Sequence, residues 1–165
     1  MHRNPGFTLL EMLIAVAIVA VLATLAVPPY LDYVARAQVS EGLGLTAAAR
    51  TGIAESYVAT GSWPADNMSA GLADTVSAQG KYVDSVRVRQ NRITITFRGE
   101  APAAGRIRGK TLHLTAGIAT DNGVAWQCGN KPLAEGISAG AIPFDAGPGA
   151  GGTLDARLRP PECHD

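Results

Sequence analysis

Residues 12–27 read MLIAVAIVAVLATLAV, a run without a charge and with Thr24 as its one polar side chain. Counted from Phe7 to Val27 as a helix, the segment is about 31 Å long at about 1.5 Å per residue, the thickness of a hydrocarbon core of about 30 Å. Three structures use such a run. A secretory signal would be followed by a small-residue cleavage site, but Pro28-Pro29-Tyr30 follows here. A buried core helix rarely begins at the seventh residue with so many consecutive apolar positions. A membrane span fits best. The rest of the 165 residues suffices for one domain with its own core. A formal net charge of zero excludes a global electrostatic attraction to nucleic acid or to a membrane surface.

Within this helix stands Glu11. A lone carboxylate in hydrocarbon costs several kcal/mol, so it is protonated, paired or lifted to the headgroup level. No Lys, Arg or His lies within two helical turns of it. If the chain were cut before Phe7, the new α-amino group would stand four residues away. That group reaches its own Glu11 awkwardly, but two copies staggered along an axis would bring amine and carboxylate together. A solvated Glu11 at the headgroup level is the alternative.

The leader Met1-His2-Arg3-Asn4-Pro5-Gly6, then Phe7-Thr8-Leu9-Leu10-Glu11-Met12 and an apolar run to Pro28, resemble a type IV prepilin. Residues 30–41 (YLDYVARAQVSE), Gly61 with Trp63-Pro64, Ala70-Gly71-Leu72 and the ending RLRPPEC at 157–163 resemble the major-pilin subfamily. Pro5, Pro29, Gly42 and Gly44 depart from the pattern. The resemblance implies cleavage between Gly6 and Phe7 by a prepilin peptidase and N-methylation of Phe7. It also implies that Glu11 of an incoming subunit attracts the N-terminal amine of one already in the filament. A subunit added without its partner would bury an unpaired charge, at about 3–5 kcal/mol. The implied partners are copies of the chain in a helical filament, the peptidase, the pilus assembly platform and the inner membrane, with host surfaces or DNA as further family-level partners. The implied location is a single-pass inner-membrane protein that becomes an extracellular fimbrium.

Pro28 and Pro29 donate no backbone hydrogen bond, leaving the carbonyls of Thr24 and Leu25 without helical partners. A kink, or local melting in the filament, is expected there. Beyond it, Tyr30, Tyr33, Val34, Ala37, Glu41, Ala48, Ile53, Tyr57 and Val58 follow helical spacing, with Arg36, Arg50 and Glu55 off the stripe. Gly42 and Gly44 mark a bend or a close helix–helix approach. Gly61 is placed to cap the helix. Residues 66–80 read as a connecting loop with a turn of helix. Asn67-Met68-Ser69 in that loop matches a glycosylation sequon, a tripeptide common by chance.

Strands are expected at 82–88, 92–98, 111–115 and 124–128, with turns at Gln90-Asn91 and Asp121-Asn122-Gly123. Their inward set is Val86, Val88, Ile93, Ile95, Phe97, Leu112 and Leu114, covered by the long helix. The expected fold is α+β: a pilin fold in which a long N-terminal helix packs on a four-stranded antiparallel sheet, with a disulfide-closed C-terminal loop. The expected divisions are a leader (1–6), an apolar helix (7–29), its amphipathic continuation (30–60) and a head (61–165). The head divides into a loop at 61–81, the sheet at 82–128 and a disulfide-bounded loop at 128–163.

Arg87, Arg89, Arg92 and Arg98 fall on the outward face, and with Arg106, Arg108 and Lys110 they make up half of the fourteen basic residues. A solvated face, contact with acidic neighbouring subunits and a polyanion site such as DNA all fit them. Phe97, the one aromatic there, points inward, and no nucleic-acid motif accompanies the arginines. His113 reads as a surface histidine. No spacing suggests a metal site, a catalytic constellation or a cofactor. Cys128 and Cys163 are the one pair of cysteines and would be bridged in an oxidising compartment. Three other readings are a pseudopilin of type II secretion, which usually carries calcium and lacks such a disulfide loop, a minor pilin binding DNA, and a membrane-anchored enzyme or sensor, for which no site is found.

Overall fold

The computed structural model of the chain describes residues 6–73, 79–129 and 151–163. Most of the leader, part of the helix–sheet loop and much of the expected disulfide loop lie outside them, as does His164. Helix α1 runs over Leu9–Leu45 and α2 over Ala47–Thr60. Four strands follow, β1 (Val83–Arg89), β2 (Arg92–Phe97), β3 (Thr111–Ile118) and β4 (Val124–Cys128), in one antiparallel sheet of order β1-β2-β3-β4. Short 3₁₀ turns at Ala156–Leu158 and Pro161–Cys163 end the described chain.

The helix is interrupted at Thr46, where no break was expected. The Thr46 hydroxyl donates to the Leu43 carbonyl at 2.7 Å and its own N–H bonds the same oxygen at 3.1 Å, so the side chain competes with the regular ladder. The chain turns helical again at Ala47 and stops at Gly61, whose φ of 70° is the left-handed cap. At Pro28 and Pro29, by contrast, α1 continues without a break, so this single chain shows no local melting there. The Thr24 hydroxyl donates to the Val21 carbonyl one turn before the prolines, at 2.7 Å.

All seven residues of the expected inward set are buried, joined by Val83, Ile107 and Ala116. The helix face that covers them shares Ile53 with the expected stripe but otherwise differs from it. Ala35, Gln38, Val39, Gly42, Ala49 and Ile53 are buried, at spacings of three, four and seven residues that define one helical face. Tyr30, Tyr33, Ala37, Ala48 and Val58 lie outside it and are exposed. The contact face uses small and polar residues because helix and sheet approach closely. A Cβ built on Gly42 would stand 3.0 Å from Ile95 Cγ2 and 3.2 Å from the Phe97 ring. The close approach expected of this glycine is therefore helix to sheet, while Gly44 meets nothing. Gln38 is admitted because its Oε1 accepts the Ala104 N–H at 2.7 Å, satisfying a buried polar atom.

The strands run slightly differently from expectation: β1 starts at Val83, β2 ends at Phe97 and β3 continues to Ile118. Gln90, at φ 56°, makes the first hairpin turn, and Asn91 locks it by donating from Nδ2 to the Ala116 carbonyl at 2.9 Å. Asn122, at φ 61°, makes the second. Cys128 is bonded to Cys163, with Cα atoms 4.7 Å apart. Before it reaches Cys163, the returning chain runs beside the start of β3, where Leu154 N–H donates to the Thr111 carbonyl at 3.0 Å and His113 N–H to the Gly151 carbonyl at 3.2 Å.

The free edge of β1 is closed by one side chain. Asn67 donates from Nδ2 to the Val86 carbonyl at 3.1 Å and accepts the Val88 N–H at 2.5 Å, so it imitates a strand neighbour over one step of the ladder. Edge strands need such cover. In the folded chain the amide nitrogen of this sequon, the atom a glycan would use, is buried and engaged. Asn67→Ala is expected to cost about 1–3 kcal/mol by stranding the Val88 N–H, read by denaturant unfolding of the full chain in detergent. Peptide mapping of the native protein should find Asn67 unmodified.

Candidate assembly site and exposed faces

The first turn of α1 is built as a capping box. Thr8 is the N-cap, its Oγ1 accepting the Glu11 N–H at 3.2 Å. In return, Glu11 Oε2 accepts from the Thr8 N–H at 3.3 Å and from its hydroxyl at 3.2 Å. A Thr followed three residues later by Glu is the sequence signature of this arrangement. Thr8, quoted in the sequence analysis only as part of the motif, is thus the partner Glu11 has within its own chain. The carboxylate also lies at the positive end of the helix dipole. Gly6 and Phe7 precede the cap, and Phe7 is 83% exposed.

From Gly6 to Leu31 every residue is exposed. None of the most apolar 18-residue window is buried against the rest of the chain. Fully burying a Leu, Ile, Val, Phe or Met side chain is worth about 1.5–3 kcal/mol, and over this segment no such burial comes from within the chain. It requires another environment: lipid or further copies of itself. Among the described residues, the head packs on the second half of α1 and on α2, and the apolar segment projects from it.

The four outward arginines are not equivalent. Arg87 and Arg89 are exposed and Arg92 is half-buried. Arg89 and Arg92 face each other directly across the hairpin, an unfavourable like-charge pair. Arg98 departs from expectation. It is half-buried and donates from Nε and Nη2 to the Gly80 carbonyl at 3.3 and 3.1 Å, tying the helix–sheet loop to β2. Arg87 and Arg89 also line a groove of about 420 Å³ shared with Asp66, Met68 and Thr94. The Asp66 carboxyl is held below its ordinary value by the Ser69 N–H and hydroxyl. Arg50, placed off the helix stripe by spacing, lies with its guanidinium 5.8 Å from the Trp126 ring centroid. Among the described residues, no group of His, Cys, Asp or Glu is arranged to hold a metal.

An exposed apolar helix with a carboxylate in its capped first turn, carried by a disulfide-closed sheet domain, narrows the identity, and comparison with known proteins decides it. A family model for pilin, the bacterial filament protein, matches residues 35–164, and one for the prokaryotic N-terminal methylation motif matches residues 1–27. The chain belongs to the type IV pilin family. It is 40% identical over 160 residues to a type IV major pilin protein, PilE, of Neisseria gonorrhoeae, covering 97% of this chain and 93% of that protein. It is 38% identical over 161 residues to a fimbrial protein of Neisseria meningitidis, covering 97% and 94%. It is 44% identical over 130 residues to the fimbrial protein EcpC of Eikenella corrodens, covering 76% and 82%. As a type IV pilin the chain is a structural, non-catalytic subunit that assembles with copies of itself, and its apolar helix is consistent with residence in a membrane before assembly.

Proposed function

We propose that this pilin is the major subunit of a type IV pilus, cut between Gly6 and Phe7, N-methylated at Phe7 and held in the inner membrane by residues 7–29 until it is polymerised. The observation that carries the reading is the wholly exposed apolar half of α1 with Glu11 in its first turn. In the filament the helices of neighbouring copies replace lipid around the apolar residues, and Glu11 exchanges Thr8 for the amine of the adjacent Phe7. Pro28 and Pro29 lie where the helix leaves the apolar zone and give it a place to bend. The peptidase and the assembly platform are its processing and assembly partners, and the mature filament is extracellular. Adhesion and twitching motility are the roles such a filament would serve. Arg87, Arg89 and Arg92 offer the head a basic face for acidic neighbours or, in DNA uptake, for a polyanion.

The test is the intact mass of the protein in filaments sheared from cells. The expected abundant species begins at Phe7, carries one added methyl group and lacks two hydrogens for the Cys128–Cys163 bond. Absence of the chain from the sheared material, with retention in the envelope, would overturn the major-subunit reading.

A further inference from the structure

The head carries a cluster of cations where it meets α1, just past the apolar run. Asp32 lies five residues beyond Val27, about 7.5 Å further along the helix at about 1.5 Å per residue. The headgroup zone extends roughly 5–8 Å beyond the hydrocarbon on each side. Asp32 is ion-paired with Arg106, so the connection between β2 and β3 is fastened to the helix at that depth. The 3₁₀ turn at Ala156–Leu158 also packs on α1. Among the described residues, these two segments bring the head against α1, the first of them at Asp32, just beyond a bilayer spanned by residues 7–27. Between them is a cleft of about 520 Å³ lined by Arg106, Lys110, Thr153, Asp155, Arg157 and Leu158.

The charges of this cleft are arranged asymmetrically. Both carboxylates are already matched: Asp32 by Arg106, and Asp155 by Arg157 at 2.9 Å. Lys110 is exposed and has no ion-pair partner among the described residues. Arg108 is exposed nearby, its Nε donating to the Ala103 carbonyl at 2.8 Å. Within the connection the one acid is Glu100. On α1, Tyr30 and Tyr33 are 65% and 69% exposed just past the apolar run, where amphipathic rings favour the membrane interface. Interfacial tyrosines thus flank the Asp32–Arg106 pair on α1, and Arg106 shares its cleft with Lys110, a cation with no ion-pair partner among the described residues.

We propose that this cleft is a docking surface for anionic lipid headgroups, which seats the pilin head on the bilayer while the subunit waits in the membrane. Lys110 and Arg157 contact headgroup phosphates, and Arg106 shields the Asp32 carboxylate that would otherwise repel them. The inference rests on the membrane residence proposed above. It adds that lipid composition sets how firmly the stored subunit is seated, and hence how readily it is lifted into a filament.

The test uses the full mature chain in lipid nanodiscs of phosphatidylcholine alone or mixed with phosphatidylglycerol, with amide hydrogen exchange followed over residues 103–111 and 155–158. Slower exchange in the anionic discs is expected, diminishing with added salt. Each cation removed, as Lys110→Gln or Arg157→Gln, is expected to cut the excess protection about fivefold, the Boltzmann factor for one cation at an anionic surface. Asp155→Asn should raise it, an opposite sign that a merely unfolded variant could not give. Equal exchange in both lipids would overturn the proposal. Protection found in filaments but in neither disc would assign the cleft to a neighbouring subunit and overturn it too. Failure of the chain to enter discs of either composition would instead overturn the membrane residence on which it rests.

Discussion

A chain carrying Glu11→Gln is expected to reach the membrane and fold its head, but to enter filaments poorly. Gln at the third helical position preserves the capping box, because its amide oxygen still accepts from the N-cap. What disappears is the charge. In the proposed filament the neighbour's α-amino group would then be buried without its counter-ion, and removing one partner of a buried pair costs about 3–5 kcal/mol. The constant for adding each subunit should fall by roughly two to four orders of magnitude. The measurement is the ratio of sheared to membrane-retained protein on cells making only the variant. Thr8→Val provides the complementary case. It deletes the hydroxyl that the helix end and Glu11 both use but keeps the charge, so it should cost only about 0.5–2 kcal/mol of helix-end stability. Wild-type filament yield from Glu11→Gln would remove the charge from the assembly step.

The sheet was more legible in the sequence than the helix face that covers it. Alternation along Val86, Val88, Ile93, Ile95 and Phe97 follows directly from the two-residue period of a strand, and each of these residues is buried. Gly61 marks the helix end because a left-handed residue there favours glycine. The covering face was misread because large apolar residues were assumed to mark it. Along α1 and α2 the tight contact takes Ala35, Gln38, Gly42 and Ala49 beside Val39 and Ile53, and leaves Tyr30, Tyr33 and Val58 exposed. The partner of Gln38, the Ala104 N–H, lies 66 positions away, and no local pattern could reveal it. Asn67 and Arg98 were hidden for the same reason. Each looks like a surface residue, yet each bonds backbone of a distant segment. In the assembly site, by contrast, the Thr8–Glu11 pairing is local, and its three-residue spacing was open to reading as a cap.

The second large effect concerns the C-terminal staple. The double variant Cys128→Ser, Cys163→Ser is expected to lose about 4 kcal/mol of head stability, the loop-entropy value for a separation of 35 residues. That is a large fraction of the 5–15 kcal/mol that holds an ordinary domain together, and it lowers the melting temperature by an amount on the order of 10 °C. The bridge joins the end of β4 to a segment whose Leu154, Leu158 and Cys163 are buried in the core. Residues 151–154 reach β3 through backbone bonds and through Thr153, whose Oγ1 accepts the Thr111 N–H at 2.9 Å. Gly152 permits this docking. Its φ is 92°, and a Cβ there would stand 2.3 Å from the Thr111 carbonyl oxygen. These contacts form only when the segment returns to the sheet, and without the bridge that return carries the full entropy of closing the loop. Limited proteolysis of the double variant should therefore cut first within residues 129–163, before the sheet opens. If oxidised and reduced protein in detergent unfold within about 1 kcal/mol of each other, against the expected loss of about 4, the docked segment rather than the bridge holds the C-terminus in place.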